Sequence, residues 1–503
     1  VHIGILTDYP VVTFANGPAL ATQALKRYLE QRGHRVTIVG PKPGHDEPAA
    51  QPGSLLFSSL NFAAHPGVRM PLPWPPRTVM QSPGFDVIHS HANSLVMHWP
   101  ALMRELHGTP SIATNTIYLP AFAQHMLPDQ LYEIGVVREK WNGLADWLER
   151  KFAVAYNGGD GLIVQCQGLA DYWKDKGLTV PLHVIPRPID VRNFDRPLGP
   201  DPFHANFPRG GRIIVVGRHA REKDLDKVID MFAKHVLPAC PLASLTLIGD
   251  GMEHQALVTQ ARKLGIENRC HFAGEKAHKD LRDWYGHADV FAYASTSETY
   301  GQVISEALWC GVPVVAVDDK MGVAFQVNSG EDGLLVPNDG KIVENLGNAA
   351  VRLLTDVSMR QVMGERAAVR ARQRVAPEVI YAAYERAYDA AQEHLRQNPP
   401  HRRNAHKPSD AFAVTKDHLW PWAWKHVAAC GIAAFRGGST YQTPKGMRID
   451  EAPSAGPDAT RPLEDVLPDL ANHVSQVEPV DVHAAVKKAR KTERAGDKPA
   501  PVN

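Results

Sequence analysis

Glu298 and Glu306 stand eight positions apart in Ser295-Thr-Ser-Glu-Thr-Tyr-Gly-Gln-Val-Ile-Ser-Glu306. A carboxylate accepts two hydroxyl hydrogen bonds at once, which is how sugars and riboses are held. Between the two acids the chain leaves a small-residue loop and enters Val303 to Trp309, a short apolar run of helical character that Gly311 closes. The first N–H groups of such a helix lack internal partners and sit at the positive end of its dipole. That arrangement suits a phosphate, and Gly301 lets the backbone come close to it. One unit upstream, Arg212-Ile-Ile-Val-Val-Gly217 reads as a strand, followed by Arg218 and Lys223. The first offers a planar fork and the second a mobile point charge. Together they would stabilise negative charge growing on a leaving group. The plain alternative is a βα turn with two surface glutamates and a pair of surface cations.

The elements that must position these groups follow from apolar runs. Ala288–Ala294 reads as a buried strand before the acidic loop, and Val312–Val317 as the strand after it. Leu245–Gly251, His271–Gly274 and Gly333–Val336 supply further strands of the same half. In the first half, His2–Thr7 is a strand, Pro18–Glu30 a helix and Val36–Val39 a second strand. This βαβ opening implies a parallel, doubly wound sheet. Phe85–His91 is a strand that emits His89 and His91 at its C-terminal end, where ligand groups gather in open α/β sheets. They read equally as ligand-facing or as hydrogen-bonded, partly buried histidines. Pro110–Thr116 makes the next strand tip. Leu131–Ala155 is an amphipathic helix with Trp141, Leu144, Ala145, Leu148 and Phe152 on one face and Lys140, Arg150 and Lys151 around it. It packs on its own sheet or rests on a membrane surface.

Composition bounds the answer. The chain has 503 residues, long enough for two core-bearing domains and an extension. Its formal net charge is +1, which implies no nucleic-acid or other polyanion partner. Five scattered cysteines, Cys166, Cys240, Cys270, Cys310 and Cys430, have no metal-ligand spacing and point to a reducing, cytoplasmic setting. No run of about 18 apolar residues predicts a membrane span, and Val1 opens directly on a strand rather than on a signal peptide. Beyond about residue 397 the composition shifts to Pro, His, Arg and Ala, with Trp420-Pro-Trp-Ala-Trp424 placed to dock on the protein or at a membrane interface.

The Glu-x7-Glu spacing in this strand–loop–helix context resembles the nucleotide-sugar motif of family 4 glycosyltransferases, retaining enzymes of the GT-B fold. The resemblance covers roughly residues 1–395. It implies that Glu298 contacts the donor sugar, that amides of Tyr300, Gly301, Gln302 and Val303 meet the diphosphate, and that Glu306 binds the ribose. Arg218 and Lys223 match the family's "GRl…EKg" motif, whose cations neutralise the diphosphate. Gly274 matches a backbone that meets the base, and Gly17 a glycine that lets the donor phosphate approach across the cleft. His91 matches a histidine near the acceptor. Pro186–Phe194 resembles the "pNgvD…F" crossing between domains. The chain departs from the family at Thr116, where many lipid-directed members carry a histidine; threonine does not titrate near neutral pH, so no general base is assigned, although His125 lies nearby in sequence.

The implied architecture is α/β of the GT-B type. An acceptor-side Rossmann-like domain spans 1–195 and a nucleotide-sugar-binding one 205–375, facing it across a cleft. A crossover helix, 376–396, returns onto the first domain, and an extension fills 397–503. GT-B enzymes meet phosphate charge with helix ends and cations, so no metal and no cofactor is expected, and Asp318-Asp319 reads as a polar loop. The expected activity is retaining hexosyl transfer from a UDP- or GDP-sugar. The first half is most like glycolipid-forming members, which points to a diacylglycerol-type acceptor and a peripheral place at the membrane. The competing expectations are a small soluble acceptor, or nucleotide-sugar binding without transfer.

Overall fold

The computed structural model describes residues 1–400 apart from 9–16, 44–49, 51, 62–68, 72–83, 93–94, 116–117, 119–133 and 297. Thr116, His125, Asn16, the Trp420–Trp424 segment and nearly all of the 397–503 extension lie outside the described residues.

The first sheet holds β1 (His2–Leu6), β2 (Arg35–Pro41) and β3 (Leu55–Phe57). A separate two-stranded ribbon, β4 (Ser59–Asn61) against β5 (Arg69–Pro71), interrupts the order. The sheet then resumes with β6 (Val87–Ser90), β7 (Ser111–Thr114), β8 (Leu162–Val164) and β9 (Leu182–Val184). Its order is β3-β2-β1-β6-β7-β8-β9, with every pair parallel. The second sheet holds β10 (Arg212–Val216), β11 (Ser244–Ile248), β12 (Cys270–Gly274), β13 (Val290–Tyr293), β14 (Val314–Val317) and β15 (Gly333–Val336). Its order is β12-β11-β10-β13-β14-β15, again all parallel. Strands buried on both faces read as continuous apolar runs. Thus all five residues of Arg212-Ile-Ile-Val-Val216 and all four of Val314-Val-Ala-Val317 are buried.

Each sheet therefore reverses its strand order once, between β1 and β6 in the first and between β10 and β13 in the second. Loops leaving the C-terminal ends of strands diverge at such a point and open a crevice for ligands. The helices that matter to these crevices are α1 (Gly17–Gln31), α2 (Gly135–Asn157), α3 (Gln302–Trp309), α4 (Gly322–Gln326), α5 (Val357–Val375) and α6 (Pro377–Gln397).

α6 is helical, as its Ala/Tyr-rich pattern predicts, and returns to the first half, as the family resemblance implies. Proline opens it, where a missing N–H costs nothing. Ile380, Tyr381, Tyr384, Ala387, Tyr388 and Ala391 form its buried stripe, in one cluster with Ile3, Ile5, Leu25, Leu29, Val36 and Ile38. The stripe repeats at three- and four-residue steps, which is the face a helix presents to a sheet. α2 begins at Gly135, later than the apolar spacing suggests, and its Ala153 and Tyr156 pack beside Leu162 and Trp173.

Candidate active site

The second crevice gathers most of the chemically suggestive residues. Lys223 arrives from the loop after β10 and Glu298 from the loop after β13, neighbouring strands paired Ile213 to Val290 and Ile214 to Phe291. Adjacency at the sheet brings the two side chains into a direct ion pair, Lys223 Nζ on Glu298 Oε1. The Tyr293 hydroxyl donates to the same carboxylate at 2.6 Å. Burial alone would raise the Glu298 pKa, but Lys223, with bonds from Tyr293 and Ser295, outweighs it and holds the group below its ordinary value. Glu298 is therefore an anion at neutral pH although it is only 8% exposed.

The loop between Glu298 and α3 is fixed from behind. Gly301 caps α3 at φ 76° with no side chain capping the helix, so the first amides of α3 keep their donors for another partner. The Tyr300 ring is buried and its hydroxyl meets Ser305 Oγ at 2.7 Å. Gln326 of α4 donates to the Tyr300 carbonyl and to those of Gly301 and Gly322, at 3.2 and 3.1 Å, and accepts from Ser305 at 2.5 Å. Gly322 donates to the Glu298 carbonyl at 3.0 Å. A Cβ on Gly322 would lie 2.6 Å from Tyr300 Cα and 2.7 Å from the Glu298 carbonyl oxygen, so no other residue fits there without moving the loop. Asp319, read from sequence as part of a polar loop, is buried; its carboxylate accepts from the amides of Met321, Val323 and Ala324 and so opens α4. Burial outweighs those bonds and raises its pKa.

Glu306 sits on the inner face of α3, 3% exposed, and both oxygens are engaged. Tyr285 donates to Oε2 at 3.0 Å and His278 Nε2 lies 2.9 Å from Oε1. Each oxygen keeps a second lone pair for a hydroxyl. Burial lowers the His278 pKa and the hydrogen bond and charge of Glu306 raise it, with a net rise. Gln302 donates to the Pro188 carbonyl at 3.2 Å, tying α3 to the segment between the halves, and Val303 packs with the Tyr300 and Ile304 cluster. Gly274 ends β12 at φ 70°, its carbonyl accepting from Gly249. Arg218 does not join the Lys223–Glu298 pair; its guanidinium, half exposed, is paired with Glu222 at 2.6 Å.

The first crevice is built differently. His91 follows β6 and bonds back to β1 through its amide. Its Nδ1 lies 2.8 Å from the Thr22 hydroxyl of α1, and burial, then the neighbouring Arg187, push its pKa down to about 3. It is a neutral ring at physiological pH. His89 is a core residue: its two nitrogens meet the hydroxyls of Tyr388 at 2.9 Å and Thr114 at 2.7 Å, and it is fully buried. Gly17 is the first residue of α1.

Sequence reasoning missed Tyr293, His278, Gly322 and Gln326. Tyr293 was hidden in a strand read only as apolar, although a buried tyrosine hydroxyl needs a partner. Gly322 and Gln326 carry no local signal, because their role comes from a loop some twenty residues earlier. One cluster with metal-ligand chemistry occurs among the described residues. His219, Asp250 and His254 bring ligand atoms within 4.8 Å of one another. The two Nδ1 atoms there are 3.0 Å apart and share one hydrogen bond.

Two Rossmann-like sheets, one leading into a helix without a side-chain cap and with a half-buried Lys–Glu pair beside it, have the architecture of the GT-B class of glycosyltransferases. Comparison with known proteins agrees. Residues 15–193 match the model described as Glycosyltransferase Family 4, and residues 203–370 match Glycosyl transferases group 1. The chain belongs to the family 4 glycosyltransferases.

It is 39% identical over 120 residues to a D-inositol 3-phosphate glycosyltransferase of Kribbella flavida, 24% of this chain and 28% of that enzyme. The chain thus spans under a third of that relative. It is 25% identical over 348 residues to a GDP-mannose-dependent alpha-mannosyltransferase of Mycobacterium tuberculosis, 67% of this chain and 84% of the relative. An alpha-monoglucosyldiacylglycerol synthase of Streptococcus pneumoniae matches at 27%, over 63% of this chain and 70% of the relative. Among solved structures, a sucrose-phosphate synthase from Thermosynechococcus elongatus superposes with a TM-score of 0.60 at 20% identity, covering 77% of this chain and 98% of that one. Anabaena HepE in complex with UDP and glucose superposes with a TM-score of 0.56 at 18% identity, covering 77% and 99%. No helix among the described residues is long and apolar enough to cross a membrane.

Proposed function

We propose that the protein is a retaining hexosyltransferase that moves a hexosyl group from a UDP- or GDP-sugar to an acceptor hydroxyl. The observation that carries this reading is the half-buried Lys223–Glu298 pair beside the uncapped start of α3. The diphosphate docks on the amides from Tyr300 to Val303, and Lys223 meets the charge that grows on it. Arg218 joins by swinging from Glu222. Glu298 orients the sugar hydroxyls, Glu306 holds the ribose, and the Gly274 backbone meets the base. Gly17 lets the donor phosphate approach across the cleft, and His91 faces the acceptor side, with Thr116 assigned there by the resemblance alone. No metal is required, since cations and helix amides supply the positive charge.

The bond from the anomeric carbon to the leaving phosphate oxygen breaks, and that oxygen keeps the electron pair. The acceptor oxygen attacks the same face, and its proton passes to the leaving phosphate. Neither Thr116 nor a neutral His91 is asked to act as a base.

A lipid of the diacylglycerol type is the proposed acceptor, met by a peripherally bound enzyme at the cytoplasmic face. The relatives named for diacylglycerol and for GDP-mannose support the acceptor and donor classes. The test is transfer from labelled UDP- and GDP-hexoses to vesicles containing diacylglycerol lipids and to soluble polyols, with the product anomer assigned by NMR. Donor turnover without a new glycoside in any acceptor, or an inverted anomer, overturns the reading.

A further inference from the structure

At the first crevice, Leu25 of α1, His91, Thr114, Gln165, Arg187 and Tyr384 of α6 line one small cavity that opens to solvent. Three polar groups of that lining are left over by the fold. His91 Nε2 and Gln165 Oε1 are buried atoms without a hydrogen-bond partner, in residues each only 2% exposed. Native folds rarely leave such groups unmatched unless something else fills the place. Arg187 is the third. No carboxylate among the described residues forms an ion pair with it; Glu298 of the donor loop acts on it only through its charge, without a direct pair. A guanidinium held in a half-closed cavity without a counter-ion is costly unless a ligand supplies the charge.

The three groups come from β6, β8 and the segment after β9, at the C-terminal ends of first-sheet strands. The cavity they line borders the donor loop through Pro188, whose carbonyl accepts from Gln302. We infer that this cavity is an acceptor subsite for a hydroxyl compound bearing a phosphate or carboxylate: Arg187 binds the anionic group by a charge-assisted fork, and His91 and Gln165 bind its hydroxyls. The inference rests on the proposed transferase reading but narrows its acceptor: within the diacylglycerol-type lipids it selects those with an anionic headgroup over neutral diacylglycerol, and it admits a soluble polyol phosphate.

The test is calorimetry on the full chain saturated with UDP or GDP, so that the donor phosphate site is filled. Glycerol 3-phosphate and vesicles of phosphatidylglycerol are the anionic probes; glycerol and vesicles of phosphatidylcholine with diacylglycerol are the neutral ones. At least one anionic probe binds about tenfold or more tightly than its neutral counterpart, and which one separates a soluble from a lipid acceptor. Arg187→Ala removes that preference and leaves nucleotide affinity unchanged. If Arg187→Ala fails to fold, Arg187→Gln, which keeps the length without the charge, gives the same result.

Equal binding of charged and neutral probes by the wild type, or an undiminished preference in the variant, overturns the subsite and leaves the transferase reading standing. Failure of the wild type to bind UDP and GDP overturns the reading beneath it. Should Arg187→Ala instead weaken UDP-glucuronic acid relative to UDP-glucose, the anion belongs to the donor and the acceptor assignment falls.

Discussion

The two crevices of this molecule have the same origin, a reversal of strand order in a parallel sheet, and opposite finishes. At the second, between β10 and β13, neighbouring side chains satisfy the two acids, with Gln302 Oε1 the one buried side-chain atom of the donor loop left without a partner among the described residues. Lys223 and Tyr293 occupy Glu298, while Tyr285 and His278 occupy Glu306, and Gln326 and Gly322 lock the intervening loop. At the first, between β1 and β6, the fold leaves a guanidinium, an imidazole nitrogen and an amide oxygen unmatched around one cavity. A preorganised site lowers the cost of arranging charge at the moment of reaction. An unmatched one binds whatever brings the missing partners. On the proposed reading, chemistry belongs to the second crevice and discrimination among acceptors to the first.

The largest break in this contrast is loss of the Lys–Glu pair. Glu298→Ala leaves Lys223 without its counter-charge, and Lys223→Ala leaves a carboxylate 8% exposed with only hydroxyl partners. Each lowers turnover at least about tenfold, or about 1.4 kcal/mol or more in barrier, in a labelled-sugar assay. Wild-type rates for both variants would move the chemistry out of this crevice. The pH profile carries the same signature. The Glu298 pKa is depressed in the folded protein, so its stabilising contribution is present above the ordinary glutamate value of 4.5 and is lost as pH falls through the lowered one. An acid limb of stability that disappears in Glu298→Gln checks this.

Gly322→Ala comes next. The added methyl collides with backbone at 2.6 Å rather than with a yielding side chain, so the Glu298–Gly301 loop must shift. About 1–3 kcal/mol of stability is lost, read by denaturant melting, together with affinity for the donor nucleotide. Gly340→Ala, where nothing lies within 4 Å, is the matched control and leaves both unchanged. A Gly322→Ala protein with wild-type nucleotide affinity would show that the loop is not held from behind.

These two predictions also mark how far sequence reasoning reaches. The parallel sense of the strands and the acid-bracketed helix were legible, because each rests on a local period or on an apolar run, while the return of α6 followed from the family resemblance. Lys223 and Glu298 were expected at one groove through the family motifs, but their direct ion pair was not foreseen. Nor was the support of the loop. Gly322 and Gln326 look like any glycine and any glutamine, and only the folded backbone shows what they touch. Arg218 was expected beside Lys223, yet a nearer carboxylate, Glu222, four residues on along the same loop, captures it. His89 illustrates the reverse error of emphasis: a histidine at a strand tip invites a ligand, but α6 supplies Tyr388 and closes the account inside the core.

The smallest effect concerns the ribose end of the second crevice. His278 donates to Glu306 and, with its pKa raised, contributes stability that is fully present below the ordinary histidine value of 6.5 and is lost as pH rises through the higher folded value. The ring is 44% exposed, so solvent screens the pair and the change is slight. His278→Gln keeps a donor for Glu306 without the titrating charge. The difference in melting temperature between wild type and this variant narrows from pH 6 to pH 8, while nucleotide affinity at pH 6 stays close to wild type. A difference that widens with pH instead would mean that Glu306 is held chiefly by Tyr285. The ribose end of the crevice would then owe its order to a buried hydroxyl rather than to charge.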